Sequence, residues 1–163
     1  MVTPNDILDA LEALVREKFP EEEVYRERVP SGFQRPSTLI ILEPFEGDAN
    51  FGTGVVELRP VFTLTTFVEV DEYHHSHLRA LHQRQLVLAG MFMPGYIRVK
   101  DPDDPHGKGR APHVTELKLA GGYDYDTVTV TFSLTLSRAD FIEIEQRPTM
   151  ETLHIREEVT TYG

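Results

Sequence analysis

Apolar residues at Ile7, Leu8, Leu11, Leu14, Val15 and Phe19 recur at three- and four-residue intervals, opposite Asp9, Glu12, Arg16 and Lys18. That spacing predicts an amphipathic helix. Thr3, Pro4 and Asp6 supply a cap, a first-turn proline and a carboxylate at the positive end of the helix dipole, and Pro20 ends the run. A short strand is expected over residues 24–29, followed by turn chemistry at Pro30, Ser31, Gly32 and Phe33, with Arg35 and Pro36 returning the chain to extended backbone. The continuous run Leu39, Ile40, Ile41 and Leu42 predicts a central strand over residues 38–45 that is covered on both faces. Residues 46–54 read as a loop on their glycine content.

The pattern then turns two-periodic. Val56, Leu58, Phe62, Leu64, Val68 and Val70 fall on one side, with Glu57, Arg59, Thr63, Thr65 and Glu69 on the other. Val61 and Phe67 interrupt that polar side, and Pro60 marks an edge or a bulge. A second helix is expected over residues 72–92, with Leu78, Leu81, Leu88 and Phe92 as its stripe and Met93, Pro94 and Gly95 as its end. Residues 96–99 read as a short strand, 101–112 as a loop, and Val114, Leu117 and Leu119 as a weaker strand. Residues 127–137 form the clearest alternation: Val128, Val130, Phe132, Leu134 and Leu136 inward, Thr127, Thr129, Thr131, Ser133 and Thr135 outward. Residues 141–144 read as an extension of that strand. Strands follow strands without intervening helices, so the class is α+β, a mixed and mainly antiparallel sheet with two main helices packed on it. One domain is expected over residues 1–146, with 147–163 as a C-terminal docking segment.

Charge narrows the function classes. Sixteen basic against 27 acidic side chains give a formal charge of -11 in 163 residues. Such a chain repels a phosphate backbone, so no sequence-specific nucleic-acid binding is expected. The absence of cysteine removes disulfides, thiolate metal sites and cysteine nucleophiles. No apolar stretch reaches the roughly 18–20 residues of a membrane helix, and no signal-peptide pattern opens the chain, so a soluble protein without a membrane partner is expected.

Candidate chemistry is sparse. His74, His75, His77 and His82 cluster near the second helix, but their spacing matches no recognised zinc pattern, and a polar helix face is the better account. Asp101, Asp103 and Asp104 lack the alternation, glycine and closing glutamate of a calcium loop. Glu21, Glu22 and Glu23 read as a solvated corner. No P-loop or nucleophile elbow is present. The expectation is no enzyme, no catalytic residues, no metal and no cofactor. What remains is a surface: Thr63, Thr65, Thr127, Thr129 and Thr131 give hydroxyl-rich, uncharged strand faces in an otherwise highly charged chain. Threonine favours strands in any case, and the alternative is a face packed against another subunit. Met150, Leu153 and Ile155, spaced among charges in the C-terminal segment, are expected to join that interface.

Three segments carry a resemblance: the first helix; Val24-Tyr25-Arg26-Glu27-Arg28-Val29-Pro30-Ser31-Gly32-Phe33-Gln34-Arg35-Pro36; and Arg147-Pro148-Thr149-Met150-Glu151-Thr152-Leu153-His154-Ile155. Together they resemble the tail terminator, or tail completion, proteins of long-tailed bacteriophages and prophages. The order of elements agrees over most of the chain, whereas Ser37-Thr38 replaces a more hydrophobic strand start and the 46–54 and 101–112 loops are long for the family. The resemblance implies a structural virion protein, assembled in the host cytoplasm, that forms a homo-oligomeric ring, typically a hexamer. Such a ring caps the head-proximal end of the tail tube, stops tube polymerisation and meets the head–tail connector proteins. Another neck or head–tail joining protein is the nearest alternative. A metal-dependent enzyme using the histidine cluster and a monomeric small-ligand module are the readings from other classes.

Overall fold

The computed structural model describes the backbone of residues 1–146 and the side chains of residues 1–142. The first helix, α1 (Pro4–Lys18), starts at Thr3, whose backbone N–H and hydroxyl both donate to Asp6 at 2.7 and 2.8 Å. That box satisfies the exposed helix start and fixes the register of the apolar stripe, so Ile7, Leu8, Leu11 and Val15 are all buried. The chain then forms β1 (Glu23–Arg26), β2 (Ser37–Asn50), β3 (Val55–Phe67), α2 (Leu78–Gly90), β4 (His113–Ala120), β5 (Asp126–Leu136) and α3 (Arg138–Gln146). The five strands make one sheet in the order β1-β2-β3-β5-β4. Only the β1–β2 pair is parallel, so the fold is α+β with a mainly antiparallel sheet.

Both α1 and α2 lie on one face of that sheet. Even-numbered residues of β2, β3 and β5 point at them: Ile40 of β2 pairs with Leu64 of β3, and Leu64 with Val128 of β5. All three are fully buried, as are Phe62, Val130 and Phe132. Phe132 lies between the rings of Phe62 and Phe92, with centroids 5.9 and 6.0 Å away. Arg26 ties β1 to α1 through Asp9 (2.6 Å) and Glu12 (3.2 Å).

Several expectations are corrected. Residues 46–54 are not a loop: Glu46–Asn50 pairs with Val55–Arg59, and only residues 51–54 turn. Gly47 is there for close approach, since a Cβ would lie 2.7 Å from the Leu58 side chain, and Gly54 supplies the left-handed backbone (φ 69°) that closes the turn. Of the two readings offered for Pro60, the bulge holds and the edge does not, since β3 is the central strand. Pro60 sits where the β2 register slips between Glu43 and Glu46, so its missing donor falls in the bulge. The second helix begins at Leu78, six residues later than the pattern predicts, because Asp71 accepts the backbone N–H groups of Tyr73 and His75 and holds residues 71–77 in a turn. Residues 96–99 form no strand, only the isolated bridges Tyr96–His113 and Val99–Arg110. Residues 141–144 do not extend β5 but belong to α3, which the Ser137 N–H and hydroxyl start by donating to Asp140. That third helix adds to the two expected, and β1 ends at Arg26 instead of residue 29.

Candidate functional site

The odd-numbered residues of β2, β3 and β5 make up the opposite face, joined after the β4 bulge by the even-numbered Glu116 and Lys118. Along it Thr63 of β3 lies between Ile41 of β2 and Thr129 of β5, Thr65 between Leu39 and Thr127, and Val61 between Glu43 and Thr131. The five threonines singled out from alternation therefore meet on one surface, and Thr63 Oγ1 and Thr129 Oγ1 are 3.4 Å apart. Thr63, Thr127, Thr129 and Thr131 are half-buried by their neighbours, whereas Thr65 is buried. Met150, Leu153 and Ile155 lie outside the described residues.

Sequence reasoning left out Ile41 and counted Val61 only as an interruption, yet both complete this patch. Odd-number parity carried from β3 into β2 is the signal that finds them. Charges stand at its borders: Glu116 and Lys118 on β4, Glu43 on β2 and Glu57 on β3, whose carboxylate accepts the Ser133 hydroxyl at 3.0 Å.

One end of the face is closed by the β1–β2 connection. Phe33 packs against Phe67 with its ring tilted by 58° (centroids 4.8 Å), Tyr125 flanks Phe67 at 6.2 Å, and the Arg35 guanidinium lies over both phenylalanine rings at 4.7 and 5.4 Å. Arg35 also donates to the Val68 carbonyl at 3.1 Å, and the Tyr25 hydroxyl accepts the Gln34 N–H at 3.0 Å. Such a cation–π clamp orders a turn that has no sheet partner of its own. The two helices packed on the sheet, α1 and α2, lie on the other face.

Polar chemistry concentrates under the other face, at the start of α2. Arg84 makes a bidentate pair with Glu22 (2.6 and 2.8 Å), donates to Thr66 Oγ1 (2.8 Å) and lies 4.1 Å over the Phe19 ring. His82 Nδ1 is 2.6 Å from the fully buried Asp126 carboxylate, which also accepts the Gly122 N–H. Glu22, expected in a solvated corner, is instead a half-buried anchor for Arg84. Asp126 was missed altogether, since a strand-opening acid looks like any turn residue in sequence.

These pairs join elements and do not converge on a substrate-sized site. His77 stands at the N-cap position of α2 without a side-chain capping bond, whereas His74 and His75 lie in the turn before it and, of the four, only His82 is within the helix. Among the described residues no group of three or more His, Cys, Asp or Glu is placed to hold a metal ion. The Asp71 carboxyl is held below its usual range by the His75 and Tyr73 N–H groups, so its role is to fasten the turn. Asp101 is likewise lowered, chiefly by the Asp103 N–H, inside a loop closed by the Val99–Arg110 bridge. Burial works to raise Asp140, but the Ser137 N–H and hydroxyl together with Arg110 outweigh it and hold the carboxyl low.

No described helix is long and apolar enough to cross a membrane. No protein-family model matches the chain, and a search of curated proteins returns no match.

Proposed function

We propose that this chain is a structural assembly subunit of the tail-terminator kind. On this reading it closes into a ring, caps the head-proximal end of a phage tail tube, stops the tube from growing and meets the connector of the head. The carrying observation is the open sheet face. In a chain of charge -11, the surface formed by Ile41, Val61, Thr63, Thr129 and Thr131 has no charged side chain among those five. A solvated strand face ordinarily carries Lys and Glu, and depletion of charge is the mark of a surface that meets protein.

The resemblance supports the same reading, and its residues have identifiable work in the fold. Val24 is buried against the core, Tyr25 accepts from Gln34, and Phe33 and Arg35 build the clamp over Phe67. Function on this account is geometric. The subunit occupies the growing end and presents no equivalent surface to a further layer, which is what cyclic closure followed by a stop requires.

The experiment is native mass by light scattering after size exclusion, over a wide concentration range, with and without tail tubes. A closed species of about six 18.6 kDa chains that does not grow further supports the reading. A chain that stays monomeric in both conditions refutes it.

A further inference from the structure

The sheet ends at β4, and among the described residues no strand lies along its outer edge. The start of that edge is closed: the Val114 N–H donates to the Gly95 carbonyl at 2.8 Å, and Tyr96 bridges His113. From Thr115 to Ala120 the outer side has no such backbone partner among the described residues, and Leu119 and Ala120 are exposed. The opposite edge differs. β1 is four residues long and is fastened to α1 by Arg26. The part of β2 that runs past it carries Glu43, Glu46 and Asp48 without a basic residue, so two copies there would set acid against acid. An unpaired edge is a template for a further strand, and the charges along it decide which strand is accepted. On β4 those charges are Glu116 and Lys118. Both are more than half exposed, stand on one face of the sheet and pair with each other at 3.1 Å.

We propose that the β4 edge pairs antiparallel with the same edge of a second copy, in the two-fold register centred on Leu117. In that register Glu116 faces the second copy's Lys118, Lys118 faces its Glu116, Leu117 meets its own equivalent and Thr115 faces Leu119. Both opposite-charge pairs then fall at directly opposed positions, where neighbouring strands hold side chains closest. Moving the centre by one residue sets Glu116 against Glu116 or Lys118 against Lys118, and the match is lost. Length agrees as well, since the register uses residues 115–119, which lie within the stretch that Gly95 leaves open. The bulge between Val114 and Glu116 and the two charges guard the edge against strands of other sequence, while β4 itself satisfies them. Main-chain hydrogen bonds supply the attraction, and charge supplies the register. About five residues on each side fall short of the roughly 1,000 Å² that a stable interface buries. The pair therefore forms at about millimolar chain concentration and is read by trapping instead of by mass. It brings the threonine faces of two copies side by side on one surface, and it does not rest on the ring reading.

The chain has no cysteine, so an introduced thiol reports the register without competition. Leu117→Cys, held at about millimolar concentration in a glutathione redox buffer, is expected to form a disulfide-linked pair about tenfold faster than Ala120→Cys. Residue 117 meets its own equivalent, whereas residue 120 is about 20 Å from its own. Ala120 is the more exposed of the two, so random collision predicts the reverse order. Adding Glu116→Lys to Leu117→Cys is expected to slow trapping about tenfold, and adding Lys118→Glu to that double variant is expected to restore it. Because Leu117 is half-buried, a second experiment uses exposed positions alone: Glu116→Cys mixed with Lys118→Cys is expected to give the mixed disulfide in about fivefold excess over either like pair. In folded protein, trapping at 117 no faster than at 120 overturns the proposal. So does a charge reversal without effect, or a mixed disulfide no more abundant than chance. None of these readings depends on whether a ring forms, which the mass measurement decides separately.

Discussion

The two faces of this sheet are built from the same strands, one residue out of step, and they have opposite fates. On the helix side Leu64 is fully buried between Ile40 and Val128, while one step away Thr63 lies half-buried between Ile41 and Thr129 on the face turned away from α1 and α2. The first face is spent on folding. The second holds aliphatic and hydroxyl side chains that tolerate solvent and also tolerate burial, at little cost in either state. A face meant only for water has no reason to exclude charge, and a face meant only for the core has no reason to be left open.

Substitutions separate these roles, and the largest effect belongs to the covered face. Phe132→Ala removes the ring between Phe62 and Phe92 and is expected to cost about 3–5 kcal/mol in urea unfolding. A cost near that of a surface change would mean the core is not centred there. Glu22→Ala, which strands the Arg84 guanidinium above Thr66, is expected to cost about 2 kcal/mol. Thr63→Glu on the open face should change unfolding by less than about 1 kcal/mol, because its cross-strand neighbours Ile41 and Thr129 carry no charge. The same variant should abolish self-association, read by light scattering. An assembly that survives it would show that subunits meet elsewhere.

The smallest effect is one of pH. Asp140 and Asp71 are held below the usual carboxylate range, so their contribution to stability is complete above about pH 4 and is lost as pH falls from there through their lowered values. Asp140→Asn should flatten that acid limb, followed by the urea midpoint from pH 6 to pH 3.

How legible all this was depended on whether a local pattern had a single physical cause. β5 alternates because one face is buried along its whole length, so Val128 to Leu136 could be read off directly. The second half of β2 could not: Glu46, Gly47, Asp48 and Asn50 have turn chemistry, and they extend because β3 lies beside them and Arg59 reaches Asp48 at 2.7 Å. Residues 141–144 offered strand-like alternation, while the capping pair Ser137 and Asp140 was the overlooked helix signal. The threonines of the open face were visible one strand at a time. That Thr63 stands opposite Thr129, and that Phe33 and Arg35 close the end over Phe67, depends on register and on a turn's path, neither of which the local pattern encodes.

The long β2–β3 hairpin has a consequence in time as well as space. Its strands are neighbours in sequence, joined by a four-residue turn in which Asn50 Oδ1 accepts the N–H groups of Gly52 and Thr53. Contacts so local close with little loss of chain entropy and form early. As the polypeptide leaves the ribosome, this ribbon can zip before α2 or β5 has been synthesised, and later segments meet an edge already in register. The strand at the centre of the finished sheet is thus the one that never has to search for its first partner.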